Sequence, residues 1–471
     1  MPGLALRVYL ALFKEELWYD EVFSVLVARL PLPQLLAATA GDVHPPLYYL
    51  LLKAWLWFWA ALPLEAAARS LSLYLSLITL ILFGVALQRL GLSLKQMAVA
   101  GILAVYFPSL IYFAAEARMY ALLEFEVMAG LLALTDRRWW VRIFGGGFAL
   151  GALAWTHNVG LFYAATLAGM TLILRWKQPR VIGELATAGT LAAVAWMPWA
   201  VVLLNQVKAT QAGYWTWLPD AGTLAYMVFR AVFYPTWLPG VDPLCLVMMP
   251  ILAWALMPAL YQADRKAPAL LLGTLGLALL LVAVSWVTGV GILMHRSLVP
   301  AAFFLAAALS LLWDRAEQRL VLATLFLGCL GMDAAYLNGK QISDSAMLQT
   351  IAEQAQPGDI LYSSNSSALP AVLYADLPVV FLPPDPGIRE GLSLQTMQAI
   401  GLPLARPAQL PAGRIWVLNT VLPQTTQTEI QTMEEFITVC PGTLMESVSA
   451  DGDVARSALW LIDPCPTLSQ R

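Results

Sequence analysis

The chain has 471 residues, 60% of them hydrophobic and 12% charged, about half the charge fraction of an ordinary soluble domain. A formal net charge of −3, with no long basic tract, excludes a nucleic-acid partner. Apolar runs near the roughly 20 residues that cross hydrocarbon recur between residues 70 and 337, so the composition describes a polytopic membrane protein.

Leu4 to Phe13 supplies about ten apolar residues before Lys14-Glu15-Glu16, too few to span a bilayer, and no signal-peptide cleavage site follows. Either the first helix is short and partly interfacial, or the true start lies upstream; the second reading is favoured. Next come Trp18-Tyr19-Asp20-Glu21 and Asp42-Val43-His44-Pro45-Pro46. Ionisable groups gathered beside a bilayer are costly, and a cluster of them points to a reaction centre. Candidate spans then run over about 70–88, 97–114, 119–135, 142–156, 158–174, 182–204, 241–261, 268–288, 296–313 and 319–337.

One set of connections holds Arg89 and Lys95; Arg137, Arg138 and Arg142; Arg175, Lys177 and Arg180; Arg265 and Lys266; and Arg315 and Arg319. The opposite set is poor in Lys and Arg, so the first set is cytoplasmic. Leu47 to Leu62 is also apolar, but a crossing there would invert every later loop. It reads instead as a juxtamembrane or re-entrant helix of the first outer loop, packed on protein. The count becomes about eleven spans, the first one short or truncated, with the N-terminus inside and the C-terminus outside. His44, His157 and His295, the three histidines of the chain, then share the outer face with Asp20, Glu21, Asp42, Glu116, Arg118 and Arg296.

Residues 205–240 form an outer loop rich in aromatics (Tyr214, Trp215, Trp217, Tyr234, Trp237). It reads either as an interfacial belt or as a lid that stacks on a sugar. From about Asn338 the chain turns polar. Gly358 to Tyr362, Leu377 to Leu382, Arg414 to Asn419 and Ala458 to Ile462 read as short buried strands of an α/β domain. The expected organisation is a transmembrane domain over 1–338, its outer loop being 14–69, and a small extracytoplasmic α/β domain over 339–471. Cys245 and Cys329 read as core residues; Cys440 and Cys465 either pair or stay free.

The order Trp18-Tyr19-Asp20-Glu21, Asp42-Val43-His44-Pro45-Pro46-Leu47-Tyr48-Tyr49, Arg69-Ser70, Glu116-Ala117-Arg118-Met119-Tyr120 resembles the C-type glycosyltransferases that use polyprenyl-phosphate sugars. The likeness is to bacterial relatives of the protein O-mannosyltransferases and of the lipid A aminoarabinose transferases, over about residues 1–340. The C-terminal domain does not match the sugar-binding modules of the eukaryotic members. The resemblance implies transfer of a sugar from a polyprenyl-phosphate donor to an acceptor hydroxyl at the outer face of the inner membrane, with inversion in one displacement. The acceptor stays open among lipid, polysaccharide and protein. It also implies that Asp20 is the catalytic base, with Glu21 as the alternative.

Such a reaction needs a carboxylate to take the hydroxyl proton and fixed cations to stabilise the leaving phosphate. Arg118 and Arg296 present the planar fork suited to phosphate oxygens, and Lys53 reaches headgroup level by snorkelling or else simply faces lipid. His44 and Asp42 either hydrogen-bond donor or acceptor, or belong to a loop shaped by the two prolines. His157 and His295 read as substrate-binding or as satisfied helix-end histidines. Glu116 orients Arg118 or ligates a metal, and Tyr120 joins the substrate-binding set. A divalent ion stays open as a cofactor, although no pair has the i, i+4 spacing of a helical zinc site. The competing class is a lipid-linked sugar transporter or flippase, which would show internal repeats and mid-membrane charges; neither is evident. A non-catalytic relative is a third reading, opposed by the intact motifs.

Overall fold

A computed structural model describes residues 2–14, 16–211, 218–233, 265–314, 316–338, 345–384, 392–411, 413–421, 427–450 and 455–463. The aromatic positions Tyr214, Trp215, Trp217, Tyr234 and Trp237, the expected span 241–261, Cys245 and Cys465 lie outside these residues. The chain forms two compact units: one of Met1–Glu15, His44–Leu204 and Thr216–Gly339, the other of Glu16–Val43, Asn205–Trp215 and Lys340–Arg471.

The first unit is helical. Its helix α1 (Pro2–Phe13) has 12 residues, about 18 Å of rise against the roughly 30 Å of hydrocarbon. Leu10 and Ala11 of α1 pack with Leu73, Ile111 and Ala115. The α2 (Tyr19–Arg29) and α3 (Leu32–Gly41) helices belong to the second unit. In the first unit again, α4 (Leu47–Phe58) starts directly after Pro46, and Pro45 and Pro46 are buried. With 12 residues α4 is also too short to cross alone.

Among the described residues three helices are long and apolar enough to span a membrane: α5 (Leu64–Arg89), α11 (Val181–Gln211) and α13 (Lys266–Thr288). A fourth span results if α6 (Leu94–Tyr106) and α7 (Pro108–Ala114), bent by 58° at their junction, count as one. Pro108 explains the bend, because it lacks the N–H a continuous helix needs. Shorter apolar helices coincide with the expected spans 142–156, 158–174 and 296–313: α9 (Val141–Thr156), α10 (Gly160–Arg175) and α14 (Ala301–Ser310); a further one, α12 (Ala221–Phe233), lies within 205–240, which reads from sequence as an outer loop. Helix α8 (Tyr120–Leu134) carries buried Glu124 and Glu126. By length and composition the described residues therefore give three or four spans, and the count of about eleven expected from hydropathy is not reached on that criterion. The difference arises because several expected spans fold as helices of 10–17 residues, α9, α10 and α14 among them, and because 241–261 lies outside the described residues.

The second unit carries a five-stranded mixed sheet in the order β2-β1-β3-β5-β4. Its strands are β1 (Ile360–Ser363), β2 (Val379–Phe381), β3 (Ile415–Val421), β4 (Thr443–Ala450) and β5 (Ala455–Ile462). Strands β2, β1 and β3 run parallel, and β5 pairs antiparallel with β3 and β4. Tyr362, Ile415, Val417, Met433, Phe436 and Ile462 close its core. Cys440 is buried there and disulfide-bonded.

Residues 16–43 are tied to this sheet unit by polar contacts. The Tyr374 hydroxyl accepts from the Leu17 amide at 2.7 Å, and the Tyr19 and Ser366 hydroxyls meet at 3.2 Å. At the end of α3, Ser393 donates to the Gly41 carbonyl at 2.8 Å and Thr396 to the Ala38 carbonyl at 3.1 Å. Gln206 donates to the Thr39 carbonyl at 3.1 Å.

Candidate functional site

In the second unit, Asp20 and Glu21 occupy the first turn of α2, where the helix dipole favours negative charge. The two carboxylates have different surroundings. Glu21 is 1% exposed and accepts from the Trp18 amide at 3.3 Å, closing its own helix start. Asp20 is half-buried, and its carbonyl accepts from Ser24 at 2.9 Å. Asp42 closes α3, its amide donating to Ala38.

In the helical unit, three separate connections converge. His157 follows α9 in extended backbone, and the chain re-enters a helix at Gly160. The Gly160 amide donates to the His157 carbonyl at 2.7 Å, and a Cβ on Gly160 would run into the Leu153 carbonyl. Only glycine permits so tight a reversal here. The His44 ring meets the His157 ring edge-on at 5.0 Å between centroids, and the Tyr120 ring lies 6.2 Å away.

Arg118 and Glu116 sit in the turn between α7 and α8, each 3% exposed. Ser72 of α5 holds that turn by donating to the Glu116 carbonyl at 2.6 Å. His295 and Arg296 lie in a short 3-10 turn, His295–Leu298. The buried Tyr163 of α10 anchors the turn by donating to the Ser297 carbonyl at 2.9 Å. Lys53 is half-buried on α4. Arg69, buried in α5, donates to the Lys14 carbonyl at 2.6 Å and so holds the end of the N-terminal segment.

The electrostatics bind these pieces together. Burial first, then the nearness of His44, Arg296 and Arg118, hold the His157 imidazole well below the usual histidine range. The Val159 amide donates to His157 Nδ1 at 3.0 Å. In the neutral ring this bond leaves the proton on Nε2, which makes that nitrogen a donor. His295 is likewise held low by burial, then by Arg230 and Arg296.

Arg230 is a member of this cluster that sequence reasoning missed. It lies on α12, with its guanidinium carbon 5.5 Å from the centroid of the Tyr226 ring. The available signal was a lone arginine within Tyr226-Met227-Val228-Phe229-Arg230-Ala231-Val232-Phe233, since an isolated charge on an apolar helix needs a reason. Three guanidiniums and neutral imidazole donors at one locus suit a phosphate ester. Among the described residues no group of three or more His, Cys, Asp and Glu side chains is placed to hold a metal ion.

Solved structures resemble the chain over nearly its whole length. The crystal structure of ArnT from Cupriavidus metallidurans in the apo state matches with a TM-score of 0.59 at 14% identity, covering 98% of this chain and 96% of that one. The same protein bound to undecaprenyl phosphate matches with a TM-score of 0.58 at 13% identity, with the same coverage. The chain has the fold of ArnT. The likeness covers 98% of the chain and so extends through the sheet unit. No family model matches the chain, and no curated protein is similar to it in sequence.

Proposed function

We propose that the protein transfers a sugar from a polyprenyl-phosphate donor to an acceptor hydroxyl. The observation that carries this reading is the gathering of Arg118, Arg296, His44 and His157 in a fold shared with ArnT, a protein crystallised with undecaprenyl phosphate. In this reading the acceptor oxygen forms a bond to the anomeric carbon, and the bond from that carbon to the phosphate oxygen breaks. The hydroxyl proton goes to Asp20, and polyprenyl phosphate leaves with an added negative charge. Arg118 and Arg296 stabilise that charge, and the His157 Nε2–H donates to it without adding a cation. Single displacement inverts the anomeric configuration.

Asp20 is preferred to Glu21 because Glu21 is committed to its own helix start, whereas Asp20 is half-exposed. We further read the shorter apolar helices as crossing segments, which gives about eleven spans with the α/β domain on the periplasmic side. The sugar acceptor is a lipid, polysaccharide or protein.

The test uses purified full-length protein with a polyprenyl-phosphate sugar, reading released polyprenyl phosphate by mass spectrometry. The wild type should release it only when acceptor is present. Asp20→Asn should lower turnover by about 10²- to 10⁴-fold while the unfolding midpoint stays unchanged. Near-normal turnover in that variant removes Asp20 from the reaction. Donor movement across vesicles without release of polyprenyl phosphate would favour a transporter.

A further inference from the structure

Threonines within the helices of this chain mostly bond to their own helix. Thr39, Thr79, Thr135, Thr187, Thr190 and Thr288 each donate the hydroxyl to the carbonyl four residues earlier. Thr156, the last residue of α9, does otherwise: its hydroxyl donates to Glu126 Oε1 of α8 at 2.7 Å. Thr156 is fully buried and Glu126 is 4% exposed.

Glu126 needs a reason of its own, because a carboxyl on a buried apolar helix is costly beside a hydrocarbon side chain. Its second oxygen, Oε2, is buried and has no hydrogen-bond partner among the described residues, so Thr156 is the group that the carboxyl engages. The residue after Thr156 is His157, where the chain leaves the helix in extended backbone. From the same helix as Glu126, Tyr120 sets its ring 6.2 Å from the His157 ring. The far side of the reversal is held separately, by the bond from Tyr163 to the Ser297 carbonyl. The Glu126–Thr156 bond fixes the near side, and with it the approach of His157 Nδ1 to the Val159 amide.

We propose that Glu126 is a positioning residue of the transfer site: acting through Thr156, it fixes the end of α9 so that His157 keeps its Nε2–H for the leaving phosphate. The role of His157 rests on the transfer reading, whereas the hold on its ring is a property of the folded chain alone.

The chain has three histidines, so isotope labelling of histidine nitrogens in the full-length protein, reconstituted in liposomes, gives three rings by solid-state NMR. The signal lost in His157→Gln identifies His157. Wild type should show that ring in the Nε2–H form alone. Glu126→Ala should turn it into a mixture of tautomers while the His295 signal stays in place. The same variant should lower kcat for polyprenyl phosphate release about tenfold with the donor KM held, because the misplaced donation belongs to the transition state. Glu126→Gln keeps a carbonyl that accepts from Thr156 and should restore both readouts. Thr156→Val removes the hydroxyl at similar volume and should reproduce Glu126→Ala, whereas Thr156→Ser should not; this pair decides if Glu126→Ala does not fold. An unchanged His157 signal in Glu126→Ala, or in Thr156→Val where that pair decides, overturns the assignment. So does movement of all three rings together, or a Glu126→Gln protein as impaired as Glu126→Ala. A wild type that releases no polyprenyl phosphate removes the transfer reading instead, and the His157 signal still decides whether Glu126 holds the ring.

Discussion

At the end of the helical unit that carries Arg89, Arg142 and Arg175, guanidiniums meet carboxylates from neighbouring segments. Glu184 bridges Arg142 and Arg175, and Asp136 meets Arg89 and Arg138. At the locus of Arg118, Arg230 and Arg296, the guanidiniums gather instead around imidazole rings held neutral by burial and by those same cations. The first arrangement satisfies its charges internally and fastens helix ends together. The second sets guanidiniums beside imidazoles whose protonation is disfavoured, the arrangement that the proposed reading assigns to the leaving phosphate. Under the proposed reading, similar residues serve fastening in one place and recognition in the other.

The sharpest way to break this contrast is to exchange the expected consequences. Arg118→Ala should cost about 10²- to 10³-fold in kcat, with a smaller change in unfolding midpoint than a cut at the fastened end produces. Arg118→Lys should recover only part of the loss, because an ammonium keeps the charge but not the fork. Glu184→Gln should do the reverse. Arg142 and Arg175 have side chains only 13% and 7% exposed, so losing their shared carboxylate should destabilise the protein by about 3 kcal/mol. Turnover per folded molecule should stay near that of the wild type. Calorimetric unfolding in detergent, run beside the polyprenyl phosphate release assay, separates the two. A Glu184→Gln protein that is fully stable but inactive would erase the distinction.

How much of this was legible follows from where the information resides. Alternating basic loops were enough to place His44 and His157 on one side, and the structure brings their rings to 5.0 Å. The same alternation grouped Arg89, Arg175, Arg265 and Lys266, which line one cavity. Arg230 was not read, because residues 205–240 appear as an aromatic loop until α12 is seen to be helical. Strand β4 was not read either. Thr443-Leu444-Met445-Glu446-Ser447-Val448-Ser449-Ala450 has no buried apolar run, as suits an edge strand paired only with β5. The association of residues 16–43 with the sheet unit rests on bonds such as Leu17 to Tyr374 and Ser393 to Gly41. Side-chain bonds to distant backbone leave no periodic trace in either partner.

The smallest expected effect comes from acidity, and it tests the imidazole side of the contrast directly. His157 and His295 both have their folded-state values lowered below the ordinary histidine value of about 6.5. In the unfolded chain each takes a proton as pH falls through that value, while in the folded chain each resists. The unfolded state then binds more protons, so stability is full above about pH 6.5 and declines as pH falls toward the folded values. The unfolding midpoint should therefore drop between pH 7.5 and pH 5.5, and His157→Gln should flatten the decline by removing one of the two protons taken up. Arg296→Gln should act in the same direction by a different route, because withdrawing a cation that faces both rings raises their folded values toward the unfolded one. A midpoint in His157→Gln that keeps the full wild-type slope would mean that the ring is not held neutral by its neighbours, and the recognition reading of that locus would lose its electrostatic basis.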